Sequence, residues 1–347
     1  MKIIIASIQV PFIDGGSVLM TQGLKKALIK FGHQVEVVTI PFKFTPVEYI
    51  DDLIDFWKNQ DFNNFNGHHI DMVIALQFPA FYVQHKNKVL WLMHQHRSVY
   101  ELYNENIATL EDKNLKEKIK KTDIQEFLKI DKRFSMCQNI SNRLLKYNNI
   151  TSTPIYHPPY REDKFYCEDS YNYIFCPSRL EELKRQDLLI KAMQYTKTDI
   201  VVIIAGDGGQ KDNYENLIKS LNISHKVKLI GYISQEEKET YYARSLGVFF
   251  APYDEDYGYI TLEAMLSSKP VITCKDSGGS LEFVIDNETG FITQPDPKII
   301  AQKLDWLYSN KKEAKMLGEN GLKIYKEKNI SWDNVVKKLL GNKLNYL

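Results

Sequence analysis

Two glutamates with seven residues between them, Glu255 and Glu263, stand in a segment that follows the apolar run Phe249-Phe250-Ala251 and opens a helix near Tyr259. Glu255 falls in the loop. Glu263 falls one turn into the helix, beside Leu262 and Met265, where a carboxylate is costly unless it meets hydrogen-bond donors. Hydroxyls of a sugar and a ribose are suitable donors, and the N–H groups of Gly258, Tyr259 and Ile260 are expected to face the same space. Earlier in the chain, Arg179 ends an apolar run and Lys184 precedes the next helix, where two cations could clamp an anionic leaving group. Taken alone, a surface basic cluster reads equally well. Gly15 and Gly16 sit at the first strand-to-helix turn, where backbone N–H groups can approach a phosphate closely; a tight turn is the competing reading. In the loop Ala205-Gly206-Asp207-Gly208-Gly209 the aspartate would repel a phosphate, which favours a turn beside a nucleoside. His94 begins His-Gln-His-Arg after an apolar run. There it could donate to a sugar hydroxyl, or simply cap a helix start, as His96 would.

These residues need elements to hold them. Lys2–Ile8, Gln34–Ile40, Met72–Leu76 and Lys88–Met93 read as short buried strands of a parallel sheet, with a helix over Ser17–Phe31 stopped by Gly32. Glu111–Arg133 carries eight basic and six acidic residues around Leu115, Ile119, Ile124, Phe127 and Leu128 and is expected to form a solvated amphipathic helix pair. A peripheral contact with a membrane surface is the alternative for it. Thr151–Tyr171 reads as a linker. Beyond it the β/α pattern restarts: strands at Tyr173–Pro177, Ile200–Ala205, Val227–Ile230, Leu246–Ala251 and Val271–Thr273, helices at Gln186–Met193 and Tyr214–Leu221. Two α/β domains facing one another across a linker are expected, with ligands outside the carboxyl ends of the strands. Trp332–Leu340 is a helix expected to pack back on the first domain.

Composition narrows the classes. The chain has 347 residues, 45 Lys plus Arg against 44 Asp plus Glu, and a formal net charge of +1, which gives no global reason to bind nucleic acid. No apolar stretch approaches the roughly 18 residues of a membrane span. The start lacks a signal-peptide pattern, so a cytoplasmic location is expected, at the inner membrane face if 111–133 touches lipid. The four cysteines, Cys137, Cys167, Cys176 and Cys274, have no C-x-x-C spacing and read as buried thiols. Neither histidine pair brings further ligands at metal-site spacing, so the metal site expected is none.

In combination these motifs resemble the family-4 retaining glycosyltransferases of the GT-B fold. The resemblance rests on Glu255, Glu263, Ala264 and Ser268-Lys269-Pro270-Val271-Ile272, and on Gly15-Gly16, Arg179 with Lys184, Gly231-Tyr232-Ile233, and Ser277-Gly278-Gly279 with Glu282 behind it. Leu281 stands where the family often has proline, and residues 42–69 match it poorly. The resemblance implies two Rossmann-like domains with a deep interdomain cleft: 1–155 on the acceptor side, with a C-terminal helix 327–347 packed back on it, and 156–326 binding the donor. It implies transfer of a sugar from a UDP- or GDP-sugar to a hydroxyl with retention, without a metal or other cofactor. The acceptor would be a sugar or lipid-linked molecule, in cell-surface polysaccharide, lipopolysaccharide or glycolipid assembly. The implied catalytic residues are His94, Arg179, Lys184 and Glu255. Donor binding falls to Gly15, Gly16, Arg179, Lys184, Gly231, Tyr232, Ile233, Glu255, Gly258, Tyr259, Ile260 and Glu263. Within that set Glu255 would hold the donor sugar, Glu263 the ribose, and Gly231–Ile233 the base.

Two other functions remain open to the sequence. Asp254-Glu255-Asp256 has the D-x-D spacing of a metal-dependent transferase. A non-catalytic nucleotide-sugar-binding subunit could keep the fold without turnover.

Overall fold

Runs such as Ile3-Ile4-Ile5-Ala6 and Val73-Ile74-Ala75-Leu76 are apolar at every position, and all of these residues are buried. That is how a parallel strand covered on both faces reads. In the computed structural model, which describes residues 1–12 and 15–341, these runs form the centres of two sheets, one in each of two units. Unit 1 takes Met1–Tyr160 together with the described residues from Ser331 on, and unit 2 takes Arg161–Ile330.

Unit 1 contains, in order, β1 (Lys2–Gln9), α1 (Gly16–Lys30), β2 (Gln34–Pro41), α2 (Val47–Lys58), a small hairpin of β3 (Asn64–Phe65) and β4 (His68–His69), β5 (Met72–Gln77), β6 (Lys88–His94), α3 (Leu110–Leu128), β7 (Lys132–Ser135), α4 (Gln138–Asn148) and β8 (Thr153–Pro154). Its parallel sheet has the order β2-β1-β5-β6-β7-β8. The connection after β1 leaves to one side and the connection after β5 to the other, so the switch point of this sheet lies between those two strands.

The charged stretch 111–133 is one helix and a strand, not a helix pair. Thr109 caps α3 through a reciprocal bond with Asp112, and the helix ends at Leu128. Arg133 lies in β7, where its guanidinium donates to the carbonyls of Phe127 and Ile130 and so ties off the helix end. Side-chain charge did not decide this boundary; pairing of β7 with β6 and β8 did.

Unit 2 contains β9 (Tyr173–Pro177), α5 (Gln186–Ala192), β10 (Val201–Ala205), α6 (Lys211–Ser220), β11 (Val227–Gly231), α7 (Gln235–Arg244), β12 (Gly247–Phe249), α8 (Tyr259–Leu266), β13 (Val271–Cys274), β14 (Gly290–Thr293), α9 (Pro297–Ser309) and α10 (Lys311–Glu327). The parallel order is β11-β10-β9-β12-β13-β14, with its switch point between β9 and β12.

The last described helix, α11 (Trp332–Leu340), belongs to unit 1. Gly23 of α1 makes room for it: a Cβ there would collide with the Trp332 indole, which also meets Trp91 edge-on at 6.4 Å and His157 at 5.6 Å. Ile13 and Asp14 of the first turn, and residues 342–347 of the expected C-terminal helix, lie outside the described residues. Cys137, Cys176 and Cys274 are buried, but Cys167 is exposed, in the segment that leads into β9.

Candidate functional site

The switch point of unit 2 brings two loops side by side, the one after β9 and the one after β12. Lys184 ends a short 3-10 turn, Glu182–Lys184, on the first loop, and Glu255 lies on the second. Lys184 Nζ donates to Glu255 Oε2 at 2.6 Å, with both side chains half-buried. Arg185, in the left-handed region at φ 53°, fastens the two loops behind this pair. Its guanidinium donates to both Asp276 oxygens (2.8 and 2.7 Å) and to the carbonyls of Ala251 (2.8 Å) and Pro252 (2.9 Å). These bonds hold the Asp276 carboxyl below the usual carboxylate range. The Tyr253 N–H adds a bond to the Leu183 carbonyl at 2.8 Å. Arg185 therefore anchors the site, whereas by sequence position it merely enters α5.

Glycines let the neighbouring backbones close on these loops. At Gly278, φ is +63° and a Cβ would stand 2.5 Å from the Glu255 carbonyl oxygen and 2.7 Å from its nitrogen. The Gly279 N–H donates to Glu255 O at 2.8 Å, the Glu255 N–H to Ser277 O at 3.2 Å, and the Asp254 N–H to Asp276 O at 2.8 Å. The backbone of Asp254–Asp256 is thus pinned by the Ser277-Gly278-Gly279 turn. Gly206 and Gly208 play the corresponding part for the first loop: a Cβ at either would meet the carbonyls of Ser178 and Leu180. This loop packs closely against residues 178–180. Arg179, held between those two contacts, is exposed, and its carbonyl accepts from Gln186 Nε2 at 2.9 Å.

Glu263 is 6% exposed. The donors its position demands come from the protein: Lys238 Nζ on Oε1 at 2.8 Å and Tyr242 Oη on Oε2 at 2.7 Å. Burial, and then the neighbouring carboxylate, push the Tyr242 phenol well above its ordinary pKa. The burial of Glu263 is thus balanced by donors of the protein itself. Lys238 and Tyr242 were not singled out by sequence; their one local signal is the i, i+4 spacing on α7, whose start is marked by the Ser234/Glu237 capping box.

At the start of α8, Gly258 has φ +82° and Ser280 Oγ lies 2.7 Å from where its Cβ would be; Tyr259 and Ile260 form the first turn. Gly231 ends β11 at φ +73° with open space beside its Cα, and its carbonyl accepts the Gly206 N–H at 2.7 Å. Tyr232 is 81% exposed, while Ile233 packs partly against the core.

In unit 1, Gly15 and Gly16 follow β1 at that sheet's switch point. Gly15 is extended, its carbonyl accepts the N–H groups of Val18 and Leu19, and nothing crowds its Cα. His94 is the last residue of β6 and is half-buried, with Nδ1 2.9 Å from the Gln95 carbonyl. His96 is not an exposed helix-start residue. It is 8% exposed, lies 4.9 Å from the Phe78 ring and bonds Ser98 Oγ through Nε2; burial, followed by the charge of His94, lowers its pKa to about 4. Between the two histidines Gln95 turns inward to Asp123 of α3 (3.1 Å) and Asn148 of α4 (2.8 Å). Asp123 is fully buried and also accepts from Tyr82 Oη (2.5 Å) and Tyr100 Oη (2.7 Å). Burial outweighs these bonds and raises its pKa to about 6. No sequence motif pointed to this cluster.

Among the described residues no group of three or more His, Cys, Asp or Glu side chains could hold a metal ion, and no helix is long and apolar enough to cross a membrane.

The two doubly wound parallel sheets define the GT-B fold of glycosyltransferases. Sucrose-phosphate synthase from Thermosynechococcus elongatus superposes with a TM-score of 0.78 at 18% identity, over 99% of this chain and 98% of that one. Anabaena HepE in complex with UDP superposes with a TM-score of 0.70 at 15% identity, over 100% of both chains. Residues 162–324, within unit 2, match the family model described as Glycosyl transferases group 1. An uncharacterized glycosyltransferase of Methanocaldococcus jannaschii is 28% identical over 201 residues, 57% of this chain and 53% of that protein. The N-acetylgalactosamine-N,N'-diacetylbacillosaminyl-diphospho-undecaprenol 4-alpha-N-acetylgalactosaminyltransferase of Campylobacter jejuni is 32% identical over 124 residues, 36% of this chain and 33% of that protein. The chain spans about half or less of the length of these curated relatives.

Proposed function

We propose that the protein is a retaining glycosyltransferase that moves a sugar from a UDP- or GDP-sugar to a hydroxyl of a sugar or lipid-linked acceptor without a metal ion. The setting we propose is cell-surface polysaccharide, lipopolysaccharide or glycolipid assembly at the cytoplasmic side of a membrane. One observation carries this reading: the Lys184–Glu255 pair stands at the switch point of unit 2, inside the segment that matches the group 1 glycosyltransferases. A cation there meets the charge that grows on a departing diphosphate, and a carboxylate beside it can hold sugar hydroxyls. Arg179 and the N–H groups at the start of α8 add fixed donors. The complexes of HepE with UDP and with UDP-glucose support a uridine nucleotide among the donors to be tried first.

The test is a panel of nucleotide sugars screened for protection against thermal unfolding, since a ligand at a hundred times its Kd adds about 2.7 kcal/mol. A hit is then incubated with candidate acceptors, with and without excess chelator, and the anomeric configuration of the product is read by NMR. Retention with undiminished rate in chelator is expected. An inverted product defeats the retaining assignment, and activity that chelator abolishes and manganese restores moves the chemistry to the D-x-D triplet.

A further inference from the structure

We propose that Asp123 is a positioning residue that acts through Gln95 to hold His94 as its Nδ1–H tautomer, leaving Nε2 as the ring's hydrogen-bond acceptor. The reading of glycosyl transfer enters only in what Nε2 would meet, a hydroxyl of the acceptor.

A carbonyl oxygen only accepts hydrogen bonds, so the 2.9 Å contact between His94 Nδ1 and Gln95 O places the ring proton on Nδ1. The next link fixes where that carbonyl points. Gln95 is 6% exposed, and both protons of its amide nitrogen are committed, one to Asp123 Oδ2 and one to Asn148 Oδ1. The side chain cannot turn without breaking two buried bonds, which tether the residue that carries the carbonyl to α3 and α4.

Asp123 is held in turn by the phenols of Tyr82 and Tyr100, and Asn148 Nδ2 donates to Tyr100 Oη at 3.1 Å. The named donors to this carboxylate are neutral: two phenols and an amide. Packing alone would be served as well by an apolar cluster, because a buried carboxylate without a cation is costly. Its geometric product is a glutamine that cannot flip, one residue after the histidine at the carboxyl end of β6. A histidine's tautomer is set by the hydrogen bond that one ring nitrogen makes, often to a backbone carbonyl.

The experiment uses the full chain labelled with 15N at histidine. Two-bond nitrogen–proton correlations are recorded at a pH where the ring is neutral, and His94 is assigned by its loss in His94→Ala. In the parent, His94 is expected as the Nδ1–H form. In Asp123→Leu both acceptor oxygens are gone, the Gln95 amide loses this hold, and Nε2–H becomes the major form. Asn148→Ala removes the other hold and serves if Asp123→Leu does not fold. An Nε2–H form in the parent overturns the proposal, as does an unchanged tautomer in a folded variant. Where transfer is measurable, Asp123→Leu should lower kcat and leave nucleotide Kd unchanged. The turnover of His94→Ala speaks to the transfer reading alone: a loss of about tenfold or more supports a place for the ring in catalysis. Parent-like turnover with the tautomer still coupled to Asp123 would remove His94 from the reaction and leave the clamp standing.

Discussion

Lys184 and Glu255 lie 71 positions apart in the chain, and their side chains meet at 2.6 Å. Arg185, the residue next to that lysine, spends its guanidinium on Asp276 and on the carbonyls of Ala251 and Pro252. Adjacent cations on one loop thus have separate partners, one paired with Glu255 and one holding the loop.

Lys184→Ala should weaken binding of a free nucleoside diphosphate about ten- to a hundredfold, the worth of a charge-assisted hydrogen bond of about 1.5 to 3 kcal/mol. Arg179→Ala should weaken it too. Arg185→Ala should mainly destabilise, by about 2 kcal/mol once the partial exposure of Asp276 is allowed for. Isothermal titration and urea unfolding separate the cases. Equal affinity of the Lys184 variant and the parent would remove that lysine from the donor site.

The two glutamates should fail differently. Glu255→Gln should spare nucleotide binding and reduce turnover with the complete donor. Glu263→Gln should weaken nucleotide binding and lower Tm, because Lys238 and Tyr242 lose a buried carboxylate partner. If Glu255→Gln abolishes binding of the nucleotide alone, the roles are assigned the wrong way round.

Gly278→Ala asks whether the glycine turn positions Glu255. A side chain there is strained at φ +63° and collides with the Glu255 backbone, at a cost of about 1 to 3 kcal/mol. The expected outcome is a folded protein with turnover reduced at least as far as in Glu255→Gln. Parent-like turnover would show that the loop tolerates displacement.

Acid should act on unit 1 through His96. Its folded pKa of about 4 lies below the ordinary histidine value of 6.5, so its contribution to stability is present above pH 6.5 and is lost as pH falls through 4. Asp123, raised to about 6, has the opposite sign: its contribution is present below its ordinary pKa and fades as pH rises through 6. Replacing the histidine isolates its share. His96→Leu should lose about 2 kcal/mol less unfolding free energy than the parent between pH 7 and pH 5, read from urea titrations. The same loss in both proteins would mean that His96 is protonated in the folded state at pH 5.

Sequence alone carried the β/α alternation, the restart beyond Tyr171, the placing of Lys184, Glu255 and Glu263 on a loop, a loop and a buried helix face, and the resemblance that joined them. Such features are written in neighbouring residues, because strand burial, helix stops and turn glycines follow from local side-chain chemistry. The single helix over Leu110–Leu128, the exposure of Cys167 and the burial of His96 were not local, since each depends on what packs against the segment. Partnerships belong to the tertiary structure in a stronger sense. The pairing of Arg185 with Asp276 spans 91 positions, that of Lys238 with Glu263 spans 25, and that of Gln95 with Asp123 spans 28. The order β11-β10-β9-β12-β13-β14 puts the loops of β9 and β12 side by side, and a chain with the same strands in another order would present the same side chains to different partners. Strand order is decided by which buried faces fit together across the whole sheet, and no window of neighbouring residues contains that information.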